Sequence, residues 1–291
     1  MVFLGVAVSA LFLLSYLGGL HPAADAFTVV RFPLAALVLL GLAVPALRVS
    51  LPYLAVACLA VSFLLWQGGA WHLIEKPRLA PPTGEGITLY QRNLLYSNVE
   101  IPALVEDVAR QDPDVITLQE VSRKNAALLD ALRADYPYQV YCANPRGGVA
   151  VLSRLTPGPE GPVCATPTTP GGAAALNVET SEGQGWIIAL HLRWPWPYEQ
   201  HRQLRDIAPE IAALEGPKIL AGDFNAMPWS NAVRRMISTT GARYVGPRRT
   251  TFWIGMVPLP LDHVLAGRGS VERLGLAGSD HRGLLARVTF R

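Results

Sequence analysis

The stretch Lys218 to Asn225 reads KILAGDFN, and the interpretation of the whole chain starts from it. Its first half is a short apolar run that ends at Gly222, which is typical of a buried strand. Because side chains alternate along a strand, Asp223 and Asn225 point to the same side. A carboxylate and an amide oxygen at this place suit a hard cation and a phosphate, since a buried charge needs a partner. Gly-Asp-x-Asn is also good β-turn chemistry, so a simple turn is the alternative.

The composition divides the chain into an apolar N-terminal part and a longer, more polar remainder. Of the 291 residues, 51% are hydrophobic and 16% are charged, and the mean hydropathy is +0.26. Met1 to Ile74 carries only three charged side chains with a net charge of +1, which leaves +2 of the total +3 for the remainder. This near-neutral balance does not indicate a strongly basic nucleic-acid-binding surface.

Three apolar segments in the N-terminal part predict about three transmembrane helices, so residues 1–74 are assigned to a membrane anchor. They are Val2 to Leu20, Phe32 to Leu47 and Leu51 to Ile74. A spanning helix needs about 20 mostly apolar residues. A cleaved signal peptide is the alternative for the first segment, which lacks a charged start and a clear cleavage site. Residues 75–86 are rich in Pro, Gly and charge and predict a linker to a domain over residues 87–291.

The sequence gives conflicting evidence about the side of the membrane on which this domain lies. Positive residues near the ends of the apolar segments favour a cytoplasmic domain by a small margin. Cys142 and Cys164 each end a predicted strand and could form a disulfide in an oxidising compartment, with two unpaired cysteines as the alternative. The three apolar segments predict a multi-pass cell-membrane protein, and the cysteine pair leads us to place its domain on the extracytoplasmic side.

The predicted elements of residues 87–291 alternate between strands and helices, pass through several hairpins, and alternate again before the closing strands. This order predicts sheets with helices outside them. Apolar runs repeatedly end in polar residues, which are Asn93, Glu120, His191, Asp223, Asn225, Asp262, Asp280 and His281. Each alone has an ordinary explanation as a turn, cap or core residue. Together at strand ends they indicate a site built on a rigid sheet.

This pattern resembles the endonuclease/exonuclease/phosphatase superfamily, the metal-dependent phosphodiesterases related to pancreatic deoxyribonuclease, exonuclease III and neutral sphingomyelinase. The matching motifs are Arg92-Asn93-Leu94, Leu118-Gln119-Glu120-Val121, Leu190-His191-Leu192, Gly222-Asp223-Phe224-Asn225, Leu261-Asp262-His263 and Ser279-Asp280-His281. The resemblance covers roughly Ile87 to Arg291. It implies an α+β fold, namely a four-layer α/β-β/α sandwich of the deoxyribonuclease-like type.

The resemblance also implies a divalent cation, Mg²⁺ or Mn²⁺. Glu120 would bind it with Asn93 nearby, and Asp262 would support the metal or a histidine. Oxygen ligands of this kind are those that Mg²⁺ prefers.

The resemblance further implies roles in an in-line attack at phosphorus. Asp280 would orient His281, as a carboxylate orients an imidazole in other acid–base pairs. His281 would act as general base on the attacking water or hold the scissile phosphate. Asp223 and Asn225 would position the nucleophile and the phosphate oxygens. His191 would contact the phosphate or protonate the leaving group.

The sequence therefore predicts a membrane-anchored phosphoester hydrolase in which an Asp–His pair activates water. A catalytically inactive, membrane-tethered binding module of the same fold is the alternative. Two substrate classes stay open, because Arg193, Trp194 and Trp196 could bind nucleic acid or lie at the headgroups of a phospholipid bilayer. The expected partners are a phosphoester substrate and the lipid bilayer, and no protein partner is inferred.

Overall fold

The computed structural model describes residues 2–43, 51–67, 86–145, 147–165, 171–181 and 183–291. Most of the predicted linker and the end of the third predicted membrane segment lie outside these residues. The helices are α1 (Val2–Leu14), α2 (Pro22–Ala26), α3 (Arg31–Ala43), α4 (Leu51–Gln67), α5 (Ile101–Gln111), α6 (Ala127–Ala131), α7 (Gln200–Ala213) and α8 (Asn231–Thr240), with a 3₁₀ turn at Phe27–Val30.

Fourteen strands are present among the described residues. They are β1 (Ile87–Asn93), β2 (Val115–Val121), β3 (Tyr138–Cys142), β4 (Gly148–Ser153), β5 (Val163–Ala165), β6 (Gly172–Thr180), β7 (Gly183–His191), β8 (Lys218–Asp223), β9 (Arg243–Tyr244), β10 (Phe252–Ile254), β11 (Val257–Leu259), β12 (Asp262–Ala266), β13 (Arg268–Arg273) and β14 (Leu284–Thr289).

Two six-stranded sheets organise the part of the chain after residue 86. The first has the order β13-β14-β1-β2-β4-β3 and the second the order β5-β6-β7-β8-β12-β9, while β10 and β11 form a separate hairpin. Each sheet has one parallel pair at its centre, β1 with β2 and β7 with β8, and is otherwise antiparallel. A helix connects each parallel pair, because parallel strands need a crossover.

Alternating side chains place the sheets between layers of helices. Leu89 on β1 joins the cluster between the two sheets, whereas its neighbour Tyr90 faces the cluster under α5 and α6. Leu204 and Val233 of α7 and α8 pack on the outer face of the second sheet. The predicted α+β sandwich of two sheets is therefore confirmed, with helices on both outer faces. Strands covered on both faces read as continuous apolar runs, which is why the sequence located most of them.

Helix α6 spans only five residues, because the residues before it form turns held by side chains. The Ser122 hydroxyl accepts a hydrogen bond from Lys124 N at 3.1 Å, and the Asn125 side chain accepts one from Ser122 N at 2.7 Å. Such local bonds compete with helical hydrogen bonding.

The N-terminal part differs from the prediction of about three membrane-spanning helices, which is wrong in number. Among the described residues one helical segment, Pro22–Gly41, is long and apolar enough to cross a membrane. Helix α1 stops after 13 residues, because the chain turns after Leu14, and α4 has 17 described residues. Over their described residues both are shorter than the roughly 20 residues that a bilayer requires. The second predicted segment also begins earlier than expected, since α2, the 3₁₀ turn and α3 are continuous.

The start of this apolar segment packs on the sandwich. The Asp25 carboxylate accepts hydrogen bonds from Asn231 N at 2.8 Å and Ala232 N at 3.2 Å, the first backbone groups of α8. The Trp229 indole, 3% exposed, donates to Thr28 O at 2.8 Å. A carboxylate at a helix N-terminus satisfies backbone donors that the helix itself leaves free. The N-terminal segment thus contacts the loop that follows strand β8.

A disulfide joins the two sheets at their edges. Cys142 of β3 and Cys164 of β5 are bonded, with a Cα–Cα distance of 5.5 Å and a sequence separation of 22. Strand β3 is an edge strand of the first sheet and β5 of the second. The structure thus favours the paired state of these cysteines, which the sequence left open.

Candidate active site

Four strands bring polar side chains to one edge of the sandwich. Asn93 lies opposite Gln119 in the parallel pair β1/β2, and His191 lies opposite Asp223 in the parallel pair β7/β8. Asn93 Nδ2 donates to Glu120 Oε1 at 3.1 Å and to Asp223 Oδ2 at 3.0 Å. One buried amide therefore links the carboxylates of the two sheets. Four of the residues that the sequence singled out meet at this point.

Two residues at this edge have a left-handed backbone although neither is glycine. Glu120 has φ 57° and Asn225 has φ 46°. The register of β2 shifts between Leu118 and Val121, so Glu120 lies on a bulge that turns its side chain towards the site. Gly147 lies so close that a Cβ there would be 2.8 Å from the Glu120 Cα. Backbone strain of this kind concentrates at functional sites, where the surrounding structure maintains it.

Asp262 orients His281. Its Oδ2 lies 2.8 Å from His281 Nδ1, and its Oδ1 accepts a hydrogen bond from Gln91 Nε2 at 2.7 Å. Asp280, expected to hold the imidazole, is exposed to solvent instead. That expectation is corrected, because Asp262 enters from β12 beside the ring while Asp280 lies on the surface of the loop. His281 Nε2 is left facing Asp223 Oδ2 at 3.8 Å.

The charges of this cluster alter the pKa values of its members. Burial raises the pKa of Asp223, and although His281 opposes this, the net pKa is about 7. Burial lowers the pKa of His281, but the carboxylates of Asp262 and Asp223 outweigh it and raise the pKa to about 10. Burial also raises the pKa of Asp262, and the charge and hydrogen bond of His281 more than reverse this, so that the net pKa is lowered. Asp262 and His281 form a hydrogen-bonded ion pair, and Asp223 faces the other nitrogen of the same ring at 3.8 Å.

His191 completes the polar edge from the other side. Its Nε2 lies 3.9 Å from Glu120 Oε1 and 3.8 Å from Asp223 Oδ2. Burial lowers the pKa of His191, which the Glu120 charge only partly offsets. Its Nδ1 is buried without a hydrogen-bond partner. A neutral imidazole that presents Nε2 to the site is the form that this environment favours.

The polar edge has the chemistry of a cation site. Asp223, Asp262 and His281 each offer one ligand atom, and these atoms lie within 4.8 Å of one another. The Glu120 carboxylate lies on the other side of Asp223 and shares the Asn93 amide with it. The raised pKa of Asp223 reflects a buried carboxylate with too little positive charge around it, which a hard cation would supply. The residues present therefore fit a divalent metal.

The expected metal ligands differ in how free their atoms are. Both carboxylate oxygens of Asp262 already accept hydrogen bonds from Gln91 and His281. Asn93 turns its nitrogen to the carboxylates, while its oxygen accepts from Leu95 N at 2.9 Å. Each Glu120 oxygen also accepts one hydrogen bond, Oε1 from Asn93 Nδ2 at 3.1 Å and Oε2 from Tyr96 N at 2.9 Å, but of the three residues Glu120 is the one that lines the cavity beside the site. Glu120 is thus the best-placed ligand of the three.

A cavity of about 210 Å³ opens beside these groups. Its lining includes Glu120, His191 and Asn225 on the polar side and Arg193, Trp194 and Tyr198 on the other. Asn225 is fixed there, because its Nδ2 donates to Leu192 O at 2.8 Å. Trp196 does not line this cavity. It borders a smaller one against the N-terminal segment and is 55% exposed.

Sequence reasoning missed several supporting residues. Gln91 precedes Asn93 by two positions on one strand, so the alternation of side chains places both on one face and was an available signal. The buried Arg92 donates to Leu276 O at 2.7 Å and to Asp107, which fastens the loop that carries His281. Tyr198 gave no local signal beyond its place directly after Trp194-Pro195-Trp196-Pro197.

Residues 93–281 match the sequence profile of the Endonuclease/Exonuclease/phosphatase family. The chain belongs to this family. Among curated proteins it is 37% identical over 131 residues to a UPF0294 protein of Vibrio cholerae. That match covers 40% of this chain and 45% of the relative, so the chain spans less than half of the relative's length.

Solved structures share the fold at low sequence identity. An endonuclease/exonuclease/phosphatase family protein from Leptotrichia buccalis superposes with a TM-score of 0.55 at 18% identity, covering 70% of this chain and 99% of the other. TDP2 of D. rerio, complexed with single strand DNA product, gives 0.55 at 16%, covering 69% and 98%. Sphingomyelinase C from Streptomyces griseocarneus gives 0.53 at 17%, covering 70% and 100%. These likenesses show the fold alone.

Proposed function

We propose that the chain is a membrane-anchored, divalent-metal-dependent hydrolase of phosphoesters. The observation that supports it best is the position of Asp223, whose Oδ2 lies 3.8 Å from both His191 and His281 and is bonded to Asn93. Family membership makes phosphoester hydrolysis the expected chemistry, and the arrangement around Asp223 has the groups that such chemistry requires.

Glu120 would hold the divalent cation, with Asn93 orienting its carboxylate. When bound, such a cation supplies Lewis-acid stabilisation of charge on the phosphoryl oxygens. Mg²⁺ or Mn²⁺ suits the oxygen donors.

Asp223 and the residues around it perform the proton transfers and position the phosphate. The Asp223 carboxylate, which faces the Nε2 atoms of His191 and His281 at 3.8 Å, accepts the proton of the attacking water. His281, held by Asp262 and protonated at neutral pH, donates through Nε2 to a phosphate oxygen and supports Asp223 as the Asp–His pair that activates water. His191 donates through Nε2 on the leaving-group side, and Asn225 positions the phosphate from the cavity wall.

The cavity suits a phosphodiester with one flat or amphiphilic group. Arg193 can contact a phosphate, while Trp194 and Tyr198 provide aromatic faces. Among the structural neighbours, the D. rerio protein binds single strand DNA product and the Streptomyces protein is a sphingomyelinase, so nucleic acid and phospholipid headgroups are both substrate candidates.

The apolar segment Pro22–Gly41, whose start packs on the sandwich, would serve as the membrane anchor through its remaining length. An extracytoplasmic location of the sandwich is favoured by the disulfide between Cys142 and Cys164, because such bonds persist in oxidising compartments. A catalytically inactive binding module is the competing function. It is disfavoured by the presence of the whole polar cluster and by its strained backbone at Glu120 and Asn225.

The test separates metal binding from proton transfer in the full chain. Glu120→Gln keeps the shape of the side chain and removes its charge, so it should weaken Mg²⁺ binding measured by calorimetry, and excess metal should partly restore the rate. His281→Ala should lower turnover by about 10²–10⁴, the usual contribution of one acid–base group, with little change in metal affinity. Substrates are DNA, RNA, sphingomyelin, phosphoinositides and a chromogenic phosphodiester, each with and without Mg²⁺.

The matched control is His201→Ala, which removes an exposed histidine on α7 outside the polar cluster. It should retain wild-type turnover. Near-normal turnover of His281→Ala on a substrate that the wild type hydrolyses would refute the proposed mechanism. Absence of turnover on every substrate would favour the inactive binding module.

A further inference from the structure

The hairpin of β10 and β11 carries a continuous run of exposed residues beside the active site. Residues 253–258, called the hairpin tip from here on, are all exposed, and none has a charged side chain. Met256 is 96% exposed, and Ile254 and Val257 are each 53% exposed. A run of large apolar side chains held in water by a rigid turn is unfavourable unless another surface covers it.

Two arginines flank this tip. The guanidinium carbons of Arg273 and Arg282 lie 5.8 Å and 5.4 Å from the centre of the Trp253 indole ring. Arg273 donates to the backbone Thr250 O at 3.4 Å, and neither guanidinium forms an ion pair with a described carboxylate. From the end of the hairpin towards its base, the apolar side chains come first, then the Trp253 indole, and then the two arginines. This is the order of chemistry found from the acyl region of a bilayer to its anionic headgroups.

The base of the hairpin packs against the start of the candidate membrane helix. Phe252 and Leu259 share one hydrophobic cluster with Val29 and Phe32, which lie within the apolar segment Pro22–Gly41. A strand of three residues extends roughly 10 Å, so the tip projects only that far from the segment. Hairpin tip and apolar helix are thus parts of one surface region, and a bilayer that receives the helix lies within reach of the tip.

We propose that the hairpin tip, together with Arg273 and Arg282, docks on an anionic lipid bilayer. This inference rests on the membrane attachment proposed above and adds a second contact with the same membrane. Ile254, Met256 and Val257 enter the boundary between headgroups and acyl chains, and the arginines bind lipid phosphates.

Docking of the hairpin also sets the position of the active site relative to the membrane surface. The Phe252 ring lies 4.7 Å from the His281 ring, so the base of the hairpin touches the catalytic histidine. With the tip in the bilayer, His281 lies near the level of the lipid phosphates. The substrate class that this geometry serves is a phosphoester at the membrane surface.

The test uses the full chain with Cys58→Ala, reconstituted in vesicles of phosphatidylcholine alone or mixed about 3:1 with the anionic phosphatidylglycerol. Single cysteines introduced by Met256→Cys, Leu40→Cys and Tyr138→Cys carry an environment-sensitive fluorophore, and lipids with a nitroxide on the acyl chain act as quenchers. Leu40 is 65% exposed on α3 and reports on the anchor. Tyr138 is 36% exposed on β3, at the opposite edge of the first sheet from β13, and is the matched control.

We expect the label at Met256 to be quenched severalfold more than the label at Tyr138, with a larger difference in anionic vesicles. Arg273→Gln should remove the anionic dependence and leave hydrolysis of a soluble phosphodiester unchanged. Quenching at Leu40 without quenching at Met256 would overturn the docking of the hairpin while leaving the anchor intact, and would assign the tip to a protein partner. Absence of quenching at both positions would overturn the anchor and this inference with it.

Discussion

Replacing Asp262 by asparagine removes the charge that lies 2.8 Å from His281 Nδ1 and leaves a side chain of the same shape. Two unit charges centred about 4 Å apart at an effective dielectric of about 20 interact by about 4 kcal/mol, which corresponds to about three powers of ten in proton affinity. We therefore expect the Asp262→Asn variant to lower the pKa of His281 from about 10 to about 7.

The same change alters the dependence of stability on pH. His281 in the folded protein has a pKa above its ordinary value near 6.5, so its charge stabilises the fold fully below that pH. This contribution is lost as the pH rises from about 6.5 through about 10. The wild type should lose unfolding free energy across this window, and Asp262→Asn should show a much smaller loss.

The assay is a titration of the histidine rings by nuclear magnetic resonance on metal-free protein, with the His281 signal assigned by its absence in His281→Ala. Asp280→Asn is the matched control, because it removes an exposed carboxylate next to His281 in sequence. It should change the pKa of His281 only slightly and leave turnover nearly intact. An equal effect of Asp280→Asn and Asp262→Asn on that pKa would refute the assignment of Asp262 as the orienting carboxylate.

Three other perturbations have defined outcomes. Gln91→Leu removes the donor to Asp262 Oδ1 and to Gln119 Oε1, so kcat should fall about 10–100-fold with little change in KM, and the melting temperature should fall because two buried acceptors lose their donor. Reduction of the Cys142–Cys164 disulfide, which closes a loop of 22 residues, should lower the unfolding free energy by about 3 kcal/mol in chemical denaturation, whereas Cys58→Ser should have no such effect. Trp229→Phe deletes the hydrogen bond to Thr28 O and should cost about 1 kcal/mol in the same assay; an unchanged midpoint would contradict the contact.

The sandwich was predictable because its strands are covered on both faces. Runs such as residues 115–121 and 218–223 are therefore nearly all apolar until the chain reaches the site edge, and that edge is where polar residues interrupt the pattern. Short, half-exposed elements such as β10, β11 and β13 lack this contrast, and they were missed.

The pairing of His281 with Asp262 could not be predicted from local sequence. Asp280 is adjacent along the chain, whereas Asp262 reaches the ring through the antiparallel pairing of β12 with β8. Adjacency in sequence is a poor guide here, because Asp280 and His281 lie in a bend of the loop before β14, where the Asp280 side chain is exposed and the His281 ring is buried. The number of membrane-spanning helices was predicted wrongly for a different reason. An apolar run in the sequence does not show where the chain turns, and here the chain turns after Leu14.

The contacts of Asp25 and Thr28 with the loop at Trp229 have a practical consequence for protein production. A fragment that starts near residue 86, where the family's sheets begin, would expose the indole of Trp229 and leave two backbone donors of α8 without their carboxylate. Such a fragment is expected to be prone to aggregation despite containing every residue of the polar cluster. Crystallisation and enzymology should therefore start from detergent-solubilised protein that retains the N-terminal helices.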